Sequence, residues 1–88
     1  MTEKELEVQL SLGTLNVRKL LREDILVILR FDLIEKLAWA YTREFPKGMY
    51  NFPVWDVLGN HLLPYVKVIW GEEAERRIKK ILFTVIKN

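Results

Sequence analysis

No cysteine occurs in the 88 residues, and serine (Ser11), glutamine (Gln9) and histidine (His61) occur once each. The missing cysteine excludes disulfides, thiolate catalysis and zinc–sulfur sites within the chain. Nucleophilic catalysis needs an activated Ser, Cys, Thr or Lys beside a base. Nothing in the order of residues brings Ser11 to His61. The glycines, Gly13, Gly48, Gly59 and Gly71, stand isolated, and neither GxxxxGKS/T nor GxGxxG occurs. A phosphate cradle is therefore missing. The longest apolar run, Ile25 to Leu29, falls far short of the roughly 20 residues of a membrane helix. The opening MTEKELE is acidic and polar, unlike a secretory signal. The expectation is a cytoplasmic protein with no membrane partner.

What remains is apolar and charged. Half the residues are hydrophobic and 11% are aromatic, enough for a real core, so disorder is excluded as the main state. Eighty-eight residues make one domain, here 1–88, near the small end of chains that fold alone. That supply of apolar side chains is generous for so short a chain, and a second subunit could cover part of it. Lys and Arg number 14 against 12 Asp and Glu, a net charge of +2, which neither demands nor forbids nucleic acid. Charged residues in place of uncharged polar ones give a thermophile-like balance. Sampling in a short chain produces the same bias.

Gly13, the stretch FPKGMYNFP and Gly71 divide the chain into four segments. The first, Thr2 to Leu12, carries two patterns. Leu6, Val8, Leu10 and Leu12 alternate with polar residues, as in a half-buried strand. Thr2-x-x-Glu5 is also a capping box, and Gly13 stands where a helix would stop. A lone strand needs a partner for its backbone, so this is a short helix or an intermolecular strand. The helix is favoured. The second segment, Leu15 to Phe45, has no Pro or Gly. At 100° per residue, Ile25, Leu29, Phe31, Leu33, Ile34, Leu37, Ala38, Ala40, Tyr41 and Phe45 share one broad arc. Unbroken, this helix would run about 45 Å. It therefore breaks near Arg22-Glu23-Asp24, or it projects and finds a partner.

The third segment, Val54 to Trp70, contains Pro64 on the wheel's polar face, beside Asp56, Asn60 and Lys67. A helix kinked at Pro64 is the economical reading. The fourth, Glu72 to Lys87, opens with acids, closes with a base and turns Ala74, Ile78, Ile81, Leu82 and Val85 inward. The spacing allows i,i+4 pairs Glu72–Arg76, Glu73–Arg77 and Glu75–Lys79. The fold class is thus mainly α: a small bundle of three to four helices with one long central helix.

No catalytic, cofactor-binding or metal-binding residues emerge, and no cofactor is expected. His61 and Asp56 diverge by about 140° around a helix. Asp32 and Glu35 read as a solvated face, with Asp32–Lys36 an ordinary ion pair. The stretch FPKGMYNFPVW packs four aromatics and two prolines into residues 45–55. Phe45 and Trp55 belong to the flanking helices, and Pro46 and Pro53 frame a stiff corner. Met49, Tyr50 and Phe52 are the candidate contact residues there, and Phe83 falls off the inward stripe of the last helix. The expected function is non-enzymatic: a protein–protein interaction module, a homodimer through its long helix, with a further protein partner at that corner. A second reading is a small nucleic-acid-binding or regulatory protein using Arg76, Arg77, Lys79 and Lys80 on phosphates. Arg18, Lys19 and Arg22 form a second basic set.

Overall fold

The computed structural model describes residues 1–44 and 61–87, the side chains of residues 18, 44 and 83–87 excepted. Five α-helices and a 3-10 turn occur among these residues, with no strand. They are α1 (Glu3–Leu12), the 3-10 turn (Val17–Lys19), α2 (Arg22–Ile25), α3 (Phe31–Glu44), α4 (Leu63–Trp70) and α5 (Glu72–Lys87).

The N-terminal ambiguity resolves as a helix. The Thr2 hydroxyl accepts the Glu5 N–H at 3.2 Å, as an N-cap does. At the other end Gly13 adopts φ 71°, a left-handed conformation open to glycine at little cost. The Gly13 N–H then reaches the Leu10 carbonyl and the Thr14 N–H reaches that of Gln9. These two bonds are a Schellman stop. The alternation that mimicked a strand has no bearing on burial: Leu6 and Leu10 turn inward, while Val8 and Leu12 stay exposed.

The long central helix does not form. Segment 15–45 is broken on both sides of α2, and its longest helix, α3, has 14 residues. The radius of gyration is 12.0 Å and the longest dimension 32 Å. A rod of about 45 Å would not fit such a body. Local chemistry helps the break. The Asp24 carboxylate turns back to accept the Leu21 N–H at 3.0 Å, starting a new helix where the old one would have continued. At the next junction Arg30 grips Asp32 with a two-pronged contact, Nε to Oδ1 at 3.2 Å and Nη2 to Oδ2 at 2.7 Å.

A corner between α2 and α3 frees backbone groups that a continuous helix would have paired. Distant residues take them up. The Glu3 carboxylate of α1 accepts the Leu29 N–H at 2.6 Å. The Tyr65 hydroxyl of α4 donates towards the carbonyls of Ile28 at 2.6 Å and Leu26 at 3.3 Å. Glu7 of α1 pairs with Arg30. The corner is thus held from two directions.

The core follows the wheel within each helix. Leu33, Ile34, Leu37, Ala38 and Tyr41 of α3 share one buried core with Leu62, with Leu63 and Val66 of α4, and with Ile78, Ile81 and Leu82 of α5. Leu29, expected on the same arc, is instead 70% exposed because it sits in the corner. Pro64 falls on the outer face of α4, as its wheel position indicates, after a wider π-type turn at residues 61–62. Gly71, at φ 96°, separates α4 from α5, and its N–H closes on the Lys67 carbonyl at 2.9 Å. Residues 54–60 of the expected third helix lie outside the described residues.

Two outcomes follow for stability. Tyr65→Phe removes the hydroxyl that caps the corner and should cost about 1 kcal/mol. Urea titration should show a lower midpoint with an unchanged slope; an unaltered midpoint would mean that the hydroxyl does not hold the corner. The second concerns pH. Burial, aided by the charge of Asp24, pushes the Tyr41 phenol up to about 12. The unfolded phenol ionises near pH ~10. Folding favours the neutral ring, so this contribution is complete below about pH 10 and lost as pH rises towards about 12. Its size is on the order of 2–3 kcal/mol. Urea midpoints across that window should fall in the wild type and fall less in Tyr41→Phe; parallel curves would refute the assignment.

Candidate interaction surfaces

The predicted contact residues Met49, Tyr50 and Phe52 lie outside the described residues, and so does the side chain of Phe83, which stands on α5. The basic residues of α5 can be placed. Arg76 Nη1 binds the Glu73 carboxylate at 3.0 Å. Arg77 Nε reaches across to Glu35 of α3 at 3.0 Å. These contacts replace the i,i+4 pairings that the spacing allows for Glu72–Arg76 and Glu73–Arg77, and Glu72 turns to Lys67 at 3.9 Å. Lys79 and Lys80 are exposed on the same helix. Two of the four residues proposed for phosphate contact therefore already hold carboxylates.

Arg77 also joins an aromatic cluster at the α3–α5 seam. Its guanidinium carbon lies 5.9 Å from the Phe31 ring centre, within range of a cation–π contact. Phe31 and Trp70 stand 5.6 Å apart at 56°, and Tyr65 meets Trp70 edge-on at 5.8 Å. The cluster links the start of α3 to the end of α4, beside the corner that Tyr65 caps. Its role is packing.

Among the described residues no group of three His, Asp or Glu side chains comes together in a way that could hold a metal ion. None of their helices is long and apolar enough to cross a membrane. His61 is half-buried in a shallow cleft with Arg22, Leu26, Pro64, Tyr65 and Val68. The sequence suggests a boundary histidine near the turn at Pro64, and Arg22 and Tyr65 are the polar residues that line its cleft among the described residues.

The surfaces that stand out were not among the predicted sites. One is a groove between α1 and α3. Leu10, Ser11, Leu12, Leu15, Ala40 and Arg43 line one hollow of about 310 Å³, and Lys36 and Trp39 join an adjoining one of about 290 Å³. Trp39 is 47% exposed and Leu12 70%. The other surface is the cleft at α2 and α4, where Val68 is 81% exposed. The signal for Trp39 was in the wheel. At 100° per residue it lies roughly opposite the centre of the α3 apolar arc. A large ring on the polar side of an amphipathic helix marks a contact residue better than its neighbours in sequence do.

Compared with family models, with curated proteins and with solved structures, the chain matches none.

The cross-helix pair sets a measurable quantity. Arg77 and Glu35 are both accessible to solvent, so a double-mutant cycle with Ala at each should give a coupling of about 0.2–1 kcal/mol that shrinks in high salt. A coupling of zero at low salt would show that Arg77 is free to meet another anion.

Proposed function

We propose that this chain is a non-enzymatic interaction module that associates with a second copy of itself and binds a further protein. The observation that carries the reading is the set of large apolar side chains left open after the core has closed. Leu12, Leu29, Trp39 and Val68 are 47–81% exposed, and they lie on more than one face. Single exposed apolar residues are ordinary, whereas clustered ones around a groove favour a contact surface.

The location of that surface differs from the sequence expectation. The apolar arc of α3 is covered by α5, α1 and the 3-10 turn of its own chain. It no longer argues for a second subunit. For the second copy, support now comes from the α2–α4 cleft, while Trp39 and its neighbours on the outer side of α3 support the further protein partner. A contact at Met49, Tyr50 and Phe52 remains part of the proposal.

Sedimentation equilibrium up to high micromolar concentration tests the homodimer. The expected result is a concentration-dependent rise from 10.5 kDa towards twice that mass. A mass that stays monomeric throughout would remove self-association from the reading.

A further inference from the structure

We propose that the groove between α1 and α3 receives an acidic amphipathic helix from a partner protein. This rests on the reading of the chain as an interaction module and specifies the chemistry of its partner. The floor is apolar, formed by Leu10, Leu15 and Ala40, and the exposed Trp39 stands at its side. Its hollows lie at the lower bound of about 300 Å³ for small-molecule sites. They run together through shared Leu10, Ser11 and Arg43, which suits a line of side chains on an extended element better than one compact ligand. Two packed helices with a furrow between them form the usual seat for a third helix.

The charge at the rim selects the partner. Lys36 and Arg43 are both exposed and line the groove. Neither has an ion-pair partner among the described residues. They stand seven residues apart on one face of α3, about 10.5 Å along its axis. The nearby acids are committed elsewhere, since Glu7 and Asp32 both hold Arg30. The rim is therefore left positive. Carboxylates at i and i+7 on an incoming helix match that spacing, with apolar residues between them reaching Trp39. A second copy placed groove to groove would bring like charges together, which disfavours self-association through this face. The proposed homodimer accordingly uses another surface.

The test uses two synthetic, end-capped helical peptides with one shared leucine face. One carries glutamates at i and i+7 beside that face, and the other carries lysines there. Each is titrated into the 15N-labelled full chain, with binding also followed by tryptophan fluorescence. The glutamate peptide should bind, shift amide resonances of α1 and α3, and weaken as salt is raised. In a Lys36→Glu/Arg43→Glu variant its affinity should fall about tenfold, the loss of two surface ion pairs. These positions are exposed, so an unchanged spread of amide resonances should confirm that the variant folds. Equal binding of both peptides, no binding of either, or shifts confined to other elements would overturn the proposal. So would contacts in the free chain from the Trp39 ring to residues 45–60, or to a second copy in a mixed-label sample. Sedimentation of the same variant separates the two levels of inference. A dimer that persists while the peptides fail removes the groove assignment and leaves the interaction module standing.

Discussion

The fold depends on how the backbone groups of residues 26–30 are satisfied. A turn between two helices leaves donors and acceptors without intrahelical partners, and water or other parts of the chain must take them up. Here the partners come from 26 residues upstream and 37 downstream, as the Glu3 carboxylate takes the Leu29 N–H and the Tyr65 hydroxyl reaches the Ile28 carbonyl. Helices α1 and α4 are therefore more than cover for the core. They supply the groups that make the corner tolerable, and the corner in turn lets α2 and α3 both face inward. Ile25, Ile28 and Leu33 are all fully buried as a result.

The same corner decides how much apolar surface is left for others. A continuous helix over 15–45 would have carried its broad arc out of the body, and a second subunit would have been needed to hide it. Broken, the segment folds back, and α3 buries its arc against α5, which also carries α4. What stays exposed is a different set: Leu29 in the corner itself, Leu12 in the last turn of α1 off its inward face, and Trp39 on the far side of α3. The case for a partner passes from the length of a helix to the placement of these side chains.

Much of the helical architecture was legible in the sequence, because it is written locally. Thr2 and Gly13 bound α1 with the capping groups that their positions imply. The acids that open α5 and its buried Ile78, Ile81 and Leu82 follow from spacing alone. Pro64 lands on the outer face where its wheel position puts it. A break was legible near Arg22-Glu23-Asp24, where one falls just before α2, but the second break, before Phe31, was not. No Pro or Gly marks it, and the bonds that stabilise it join residues far apart in sequence. The groove was missed for a related reason. Its floor comes from Leu10 of α1 and Ala40 of α3, thirty positions apart, so neither helix shows it alone. Trp39 could have been found, since its angle on the wheel was available and opposed the arc.

Ion pairing connects the corner to the groove. Read locally, Asp32 belongs to Lys36, four residues on, as an ordinary helix-face pair. The structure gives Asp32 to Arg30 instead, through both carboxylate oxygens. That guanidinium hydrogen bond, more than any attraction from Lys36, holds the Asp32 carboxyl below its usual range. Arg30 can make this contact because it sits just before α3 rather than within a continuous helix. It also draws in Glu7 from α1. Two acids are thereby gathered at one end of the α1–α3 seam, and Lys36 and Arg43 remain beside Trp39 with no ion-pair contact among the described residues. The break that shapes the fold thus also leaves the groove positive, and a continuous helix would have produced neither.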